Sequence, residues 1–247
     1  YVLTVKTDEE EEKVYEDVMY GEIWLAGGQS NMELELQNSK NGAVAVTEAH
    51  NELLRFYYTP KVSYLCDELY EQEEKSCWEL CCPENVGRWS AVGYYFARKL
   101  AAQLDVPVGI IGCNWGGTSA SCWMSREALE NDKVISSYVE EYDAIVAEQD
   151  FDAYCKEREE YIVYQAEFDK NCKHYYETTP NPTWEGALEV CGENKYPGPM
   201  GPRSEYRPAG LYETMIQRIA PYTLAGFLYY QGEEDDKKPR SYYNLLT

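Results

Sequence analysis

The stretch Gly21 to Gln37 constrains this chain more than any other. An apolar run, Ile23 to Ala26, passes through Gly27 and Gly28 into Gln29, Ser30, Asn31 and Met32, and then into residues of helical character. A buried strand that turns through glycines into a helix places a small side chain at its carboxyl end. In open α/β sheets that is where ligands bind. Backbone N–H groups at a helix start can face a reacting oxygen. Ser30 is therefore the candidate nucleophile. A serine before a helix can also be a plain N-cap, and both readings stand at this point.

The neighbouring pattern supplies the rest of such a sheet. Residues 1 to 6 alternate as a half-buried strand does, and the acidic run Asp8 to Glu12 follows as a turn or loop. Leu53 to Tyr58 reads as a strand closed by Thr59-Pro60, and residues 61 to 88 read as irregular. Ser90 can cap a helix to about Leu104, with Val92, Phe96, Leu100 and Leu104 along one face. Val108 to Gly112 is a continuous apolar strand. Strand, helix, strand at this spacing is a βαβ unit, which predicts a parallel sheet with a right-handed crossover.

Residues 126 to about 173 have helical spacing, broken at Asp150-Phe151-Asp152, and predict an inserted helical hairpin at about 128–175. Six prolines between 180 and 208 predict a long loop. Leu211 to Ile219 predicts a short helix, and Leu224 to Tyr230 a buried strand.

Composition excludes several partners. The chain has 247 residues and a net charge of −22, which repels phosphate backbones and argues against nucleic acid. No apolar run is long enough for a membrane helix, and no membrane partner is expected. Nine cysteines lack a disulfide framework and read as free thiols, leaning towards a reducing, cytoplasmic compartment. Cys66, Cys77, Cys81 and Cys82 lack C-x2-C zinc spacing, so neither metal nor cofactor is expected. The 24 tyrosines offer flat faces with polar tips, which suit sugar rings, although packing explains most of them equally well.

Three strands end in polar, glycine-bearing loops: Gly28 to Met32, Asn114 to Thr118 and Tyr230 to Glu233. An ester hydrolase needs a nucleophile and donors for the developing oxyanion. Ser30 supplies the first. Gly116 and Gly117 let backbone N–H groups approach, and the Gln231 amide offers a further donor.

Gly-Gln-Ser-Asn-Met at 28–32, Trp-Gly-Gly-Thr at 115–118, Trp123-Met124-Ser125 and Tyr-Gln-Gly-Glu at 230–233 together resemble the sialate O-acetylesterase family of carbohydrate esterases, within the SGNH hydrolase superfamily. Ser90 to Phe96 and Gly210 to Tyr212 match its flanks, and the resemblance covers about residues 20 to 245. It implies a three-layer α/β/α sandwich around a parallel sheet and metal-free removal of acetyl groups from sugars, an acetylated sugar being the partner. By resemblance, Ser30 attacks the acetyl carbonyl, and the N–H groups of Ser30 and Gly117 with the Gln231 side chain hold the oxyanion. Gln29, Asn31, Gly116, Glu233, Arg55 and Arg207 are the candidate substrate-side residues.

Two departures stand out. Tyr229 replaces the family's usual Trp, and Glu234-Asp235 replaces Ser-Asn, predicting a more acidic rim. The family's Asp-x-x-His is also missing. The two histidines, His50 and His174, have Thr47 and Asn171 three residues before them. The expectation is an internal fragment: residues 1–19 the remnant of a preceding β-rich domain, 20–247 an esterase domain lacking its C-terminal part and inactive alone. Two other readings remain. A non-catalytic carbohydrate-binding module would tolerate the missing base. A nucleotide site at Gly116-Gly117-Thr118 lacks the Gly-Lys-Ser/Thr ending.

Overall fold

A computed structural model describes residues 1–8 and 12–246. Part of the acidic run, residues 9–11, lies outside the described residues. Strands β1 (Leu3–Lys6) and β2 (Glu12–Tyr15) pair antiparallel as a separate two-stranded sheet, with Leu3 opposite Tyr15. The expected first strand forms, but it is exposed along its whole length rather than half-buried. Alternation marks a strand, and what packs on its faces decides its burial.

The main sheet comprises β3 (Glu22–Gly28), β4 (Asn51–Tyr58), β5 (Glu79–Cys81), β6 (Val108–Asn114) and β7 (Gly226–Tyr230), in the order β5-β4-β6-β3-β7. β4, β6, β3 and β7 run parallel, and β5 is antiparallel on the outside of β4. All seven residues of β6 are buried, as an inner parallel strand requires. β7 departs from the buried strand expected at 224–230. It pairs only with β3, and Phe227 is 69% exposed. An apolar run marks a strand, but its place at the sheet edge decides how much of it is covered.

Among the described residues, eleven α-helices flank the sheets. α1 (Ser30–Glu33) and α2 (Gly42–Thr47) follow β3, while α3 (Asp67–Lys75) and α4 (Pro83–Val86) flank β5. Residues 61–88 thus hold two helices and a strand where sequence periodicity predicts none. α5 (Ala91–Leu104) connects the β4–β5 region to β6. Ser90 caps it, its Oγ accepting from Gly93 N at 3.1 Å. Ala91, Tyr94, Ala97 and Ala101 of α5 pack on Ala26, Leu54, Phe56 and Ile110, which forms the core on one sheet face. Leu25 and Cys113 point to the opposite face, against Cys122, Leu211 and Met215. A π-helical turn at Tyr212–Ile216 continues there into α10 (Gln217–Ile219). With helices over both faces, the molecule is an α/β fold of three layers around a mostly parallel sheet.

α6 (Arg126–Asn131) packs on α7 (Ser136–Ala147) through Leu129 and Val139. Asp150 then caps the 28-residue α8 (Phe151–Thr178) by accepting from Ala153 N at 2.8 Å. The next helix, α9 (Trp184–Cys191), lies inside the proline-rich stretch and docks on α8 through Ala187 against Phe168 and Cys172. The last helix is α11 (Pro239–Leu246).

Candidate active site

Strand register brings the three loops together. Gly28, the last residue of β3, is level with Asn114 of β6 on one side and Tyr230 of β7 on the other. Gln29, Trp115 and Gln231 therefore leave the sheet side by side. Trp115 N donates to Gly28 O at 3.0 Å, and Gln29 N donates to Tyr230 O at 3.1 Å. Glycine is required at 28: φ is +136°, and a Cβ would lie 2.1 Å from Tyr230 O.

Ser30 is the first residue of the single-turn helix α1 and is exposed. The N-cap position belongs to Gln29, which removes the reading of Ser30 as a plain cap. Gln29 is buried, and its Oε1 accepts from Gly232 N at 3.2 Å and Glu234 N at 3.3 Å. It ties the third loop to the first and has no side-chain surface left for a substrate. Asn31 follows Ser30 and is half-buried.

Gly116 lies against Ser30; a Cβ at 116 would sit 3.6 Å from Ser30 Cβ. Its N–H is taken by Glu33, whose Oε2 accepts at 2.6 Å. Lys61 pairs with the other Glu33 oxygen. Gly117 has φ +71°, and its carbonyl accepts from Tyr196 Oη at 3.1 Å. Among the described residues, nothing accepts from the N–H of Ser30 or of Gly117. Ser30, Glu33, Tyr58, Thr59, Lys61 and Arg88 line an open cleft of about 530 Å³. Of its charged groups, Glu33 pairs with Lys61, Arg88 pairs with Glu79 outside the lining, and Glu35 accepts from the Gln37 and Asn38 amides. Burial raises the Tyr58 hydroxyl well above its ordinary pKa, so this group stays neutral.

The third loop is organised by Asp235, buried at 3% exposure. Its carboxylate accepts from Ser119 Oγ at 2.5 Å, Ala120 N at 2.8 Å, Tyr138 Oη at 3.0 Å and Gln231 Nε2 at 2.6 Å. The acidic rim expected at Glu234-Asp235 is thus corrected: Asp235 is a buried acceptor joining the second loop, the third loop and α7. Burial is the main cause of the raised Tyr138 pKa, and the Asp235 charge adds to it. Gln231 Nε2 also donates to Thr118 O at 3.2 Å, so both amide hydrogens are committed, while its buried Oε1 has no partner. Glu233 is exposed at the start of a 3-10 turn.

Other predicted residues lie elsewhere. Arg55 sits level with Gly109 and Ile23, near the opposite end of the sheet, paired with Asp17 at 3.1 Å. Arg207 is held by Glu213 at 2.7 Å. His50 is exposed before the first residue of β4, again at the far edge, and His174 is exposed on α8. Among the described residues, neither histidine lines the cleft at Ser30. Sequence reasoning missed Glu33, Lys61, Asp235 and Tyr196. Glu33 stands three residues after Ser30 on the same helical turn, which is the one usable signal among them. Tyr196 arrives from the proline-rich stretch, and burial and then the charge of Glu234 push its hydroxyl up to about 12.

All nine cysteines are free thiols. Among the described residues, no group of three or more His, Cys, Asp or Glu side chains could hold a metal ion. No helix among them is long and apolar enough to cross a membrane.

The chain is similar to known proteins. Residues 20–179 match the family model described as carbohydrate esterase, sialic acid-specific acetylesterase. The chain is 31% identical over 125 residues to the sialate O-acetylesterase of Pongo abelii, covering 46% of this chain and 23% of that protein. It is 28% identical over 120 residues to the sialate O-acetylesterase of Rattus norvegicus, covering 46% of this chain and 22% of that one. The chain thus spans about a quarter of the length of these relatives. A solved carbohydrate acetylesterase from Xanthomonas citri superposes with a TM-score of 0.63 at 25% identity, covering 100% of this chain and 40% of that one.

Proposed function

We propose, from the premise that this chain belongs to the sialic acid-specific acetylesterase family of carbohydrate esterases, that it forms the nucleophile side of a serine esterase that removes O-acetyl groups from sugars. The observation that carries this is the register of Gly28 with both Asn114 and Tyr230. It sets Ser30, Gly116-Gly117 and Gln231 at one sheet edge.

In this reading, Ser30 Oγ attacks the acetyl carbonyl and the N–H groups of Ser30 and Gly117 receive the oxyanion. The acetyl group passes to Ser30, the sugar hydroxyl leaves with a proton, and water then releases acetate. Glu33 holds the Gly116 N–H at 2.6 Å and so fixes this loop beside Ser30. Gln231 donates to the oxyanion only by giving up Thr118 O; as placed, it joins the second and third loops. Loss of one oxyanion donor typically costs about 3 kcal/mol of transition-state stabilisation.

The reaction also needs a base to take the Ser30 proton. Among the described residues neither His50 nor His174 lines the cleft at Ser30, so these 247 residues alone should be inactive. That same observation favours a second reading, a non-catalytic carbohydrate-binding module. Acetate release from an acetylated sugar by the full-length protein separates the two. The esterase reading predicts release that Ser30→Ala abolishes, and the binding-module reading predicts none.

A further inference from the structure

A second cleft, of about 550 Å³, lies between α8, α9 and the segment from Asn194 to Tyr206. Its volume falls within the roughly 300–1,000 Å³ of small-molecule sites. Tyr161, Trp184, Tyr196 and Tyr206 present aromatic surface to it. Trp184 is 45% exposed, and the edge of buried Phe168 holds it from behind, the centroids 6.3 Å apart at 85°. Tyr196 and Tyr206 support each other edge-on at 5.4 Å. These are rings fixed before any ligand arrives, which lowers the cost of binding.

The polar groups between the rings suit hydroxyls. Gln165 Nε2 donates to Asp169 Oδ1 at 2.9 Å, while Gln165 Oε1 is buried without a partner. An unsatisfied buried acceptor is costly, and a ligand O–H would satisfy it. Asn194 adds a further amide to the lining. The charges select the kind of ligand. Asp169 and Glu205 line the cleft, and the neighbouring cations are engaged: Arg158 pairs with Glu205, and Lys195 lies 4.0 Å over the Tyr164 ring. Anionic sugars are therefore disfavoured. Tyr196 belongs to both regions, because its hydroxyl holds the carbonyl of Gly117.

We infer that this cleft is a glycan subsite for neutral pyranose units flanking the acetylated sugar. The occupant is thus a neutral acetylated oligosaccharide rather than a polysialylated one. The inference rests on the esterase reading for its link to Ser30, but binding tests it separately. The probes are xylohexaose, cellohexaose and mannohexaose, with trisialic acid as the anionic comparator, titrated into the chain by calorimetry and tryptophan fluorescence. At least one neutral hexamer should bind, trisialic acid should not, and Ser30→Ala should bind unchanged. Trp184→Ala should weaken binding about tenfold. Gln165→Ala, which leaves the rings intact, should weaken it several-fold with an unchanged thermal midpoint. Absence of binding by all three hexamers, equal binding of trisialic acid, or affinity indifferent to both substitutions overturns the subsite. Trp184-dependent binding by a full-length protein that releases no acetate would leave the subsite standing and remove the esterase.

Discussion

Asp235 takes four hydrogen bonds in a buried position, two from hydroxyls and two from N–H groups. Ser119 and Tyr138 can turn their hydroxyls to accept instead, whereas Ala120 N–H and the Gln231 amide cannot. Asp235→Ala should therefore cost about 1–3 kcal/mol, and Asp235→Asn should recover most of it, as read from denaturant midpoints. Equal losses in the two variants would show that the charge, not the acceptor set, is what matters. At Gly117, φ is +71° and a Cβ would meet Tyr196 Oη at 2.2 Å. Gly117→Ala should destabilise the loop by about 1 kcal/mol or more and lower kcat of the full-length enzyme more than it raises KM. An active Gly117→Ala enzyme would remove this residue from the oxyanion site. Burial pushes the thiols of Cys113 and Cys122 up to about 12. At pH 8 such thiols are almost wholly protonated. Iodoacetamide should then label exposed Cys77 and spare both, which peptide mapping by mass spectrometry would check.

Among the elements, α5 is held to the sheet from its first turn. The Ser90 cap is completely buried and also donates to Met32 Sδ at 3.5 Å, two residues after Ser30. Ser90→Ala should cost about 1 kcal/mol without changing the pairing of β3 with β6, seen as a lowered midpoint with an unchanged far-ultraviolet spectrum. A midpoint that does not move would mean that packing alone fixes the helix start. The elements legible in the sequence are those where period and burial agree: β3, β4, α5 and β6 each carry a continuous or regularly spaced apolar set. α3 was illegible because eight of its nine residues lie outside the core and only Leu69 is fully covered. β5 is three residues long, too short for any period. β7 was legible as a strand but not as an edge, because an apolar run says nothing of how many neighbours it has. α9 hid between prolines, although Thr183 marks its start as an N-cap, accepting from Gly186 N at 3.1 Å.

At the scale of the molecule, the loops of the candidate site were legible and their supports were not. Ser30, Gly116, Gly117 and Gln231 stand in short motifs at strand ends, where glycine and polar residues have few structural reasons to recur. Asp235 sat in an acidic run that resembled solvated surface, and Tyr196 in a stretch that resembled open loop. Only tertiary packing turns them inward. Arg55 carried the opposite error, since a positive charge in a sequence has no period that says which end of a sheet it occupies. The net charge of −22 bears on which partners the surface repels rather than on the fold. Spread over the surface, it repels polyanions, in keeping with a neutral glycan.

The central claim is that Ser30 is the nucleophile, and its capture by a fluorophosphonate tests this most directly. The full-length protein should carry one phosphonyl adduct, mapped by mass spectrometry to Ser30, with acetate release lost in proportion to labelling. The 247-residue chain, with no histidine lining the Ser30 cleft among its described residues, should label slowly or not at all. Acetate release that continues with Ser30 fully modified, or an inactivating adduct on another serine, would contradict the account.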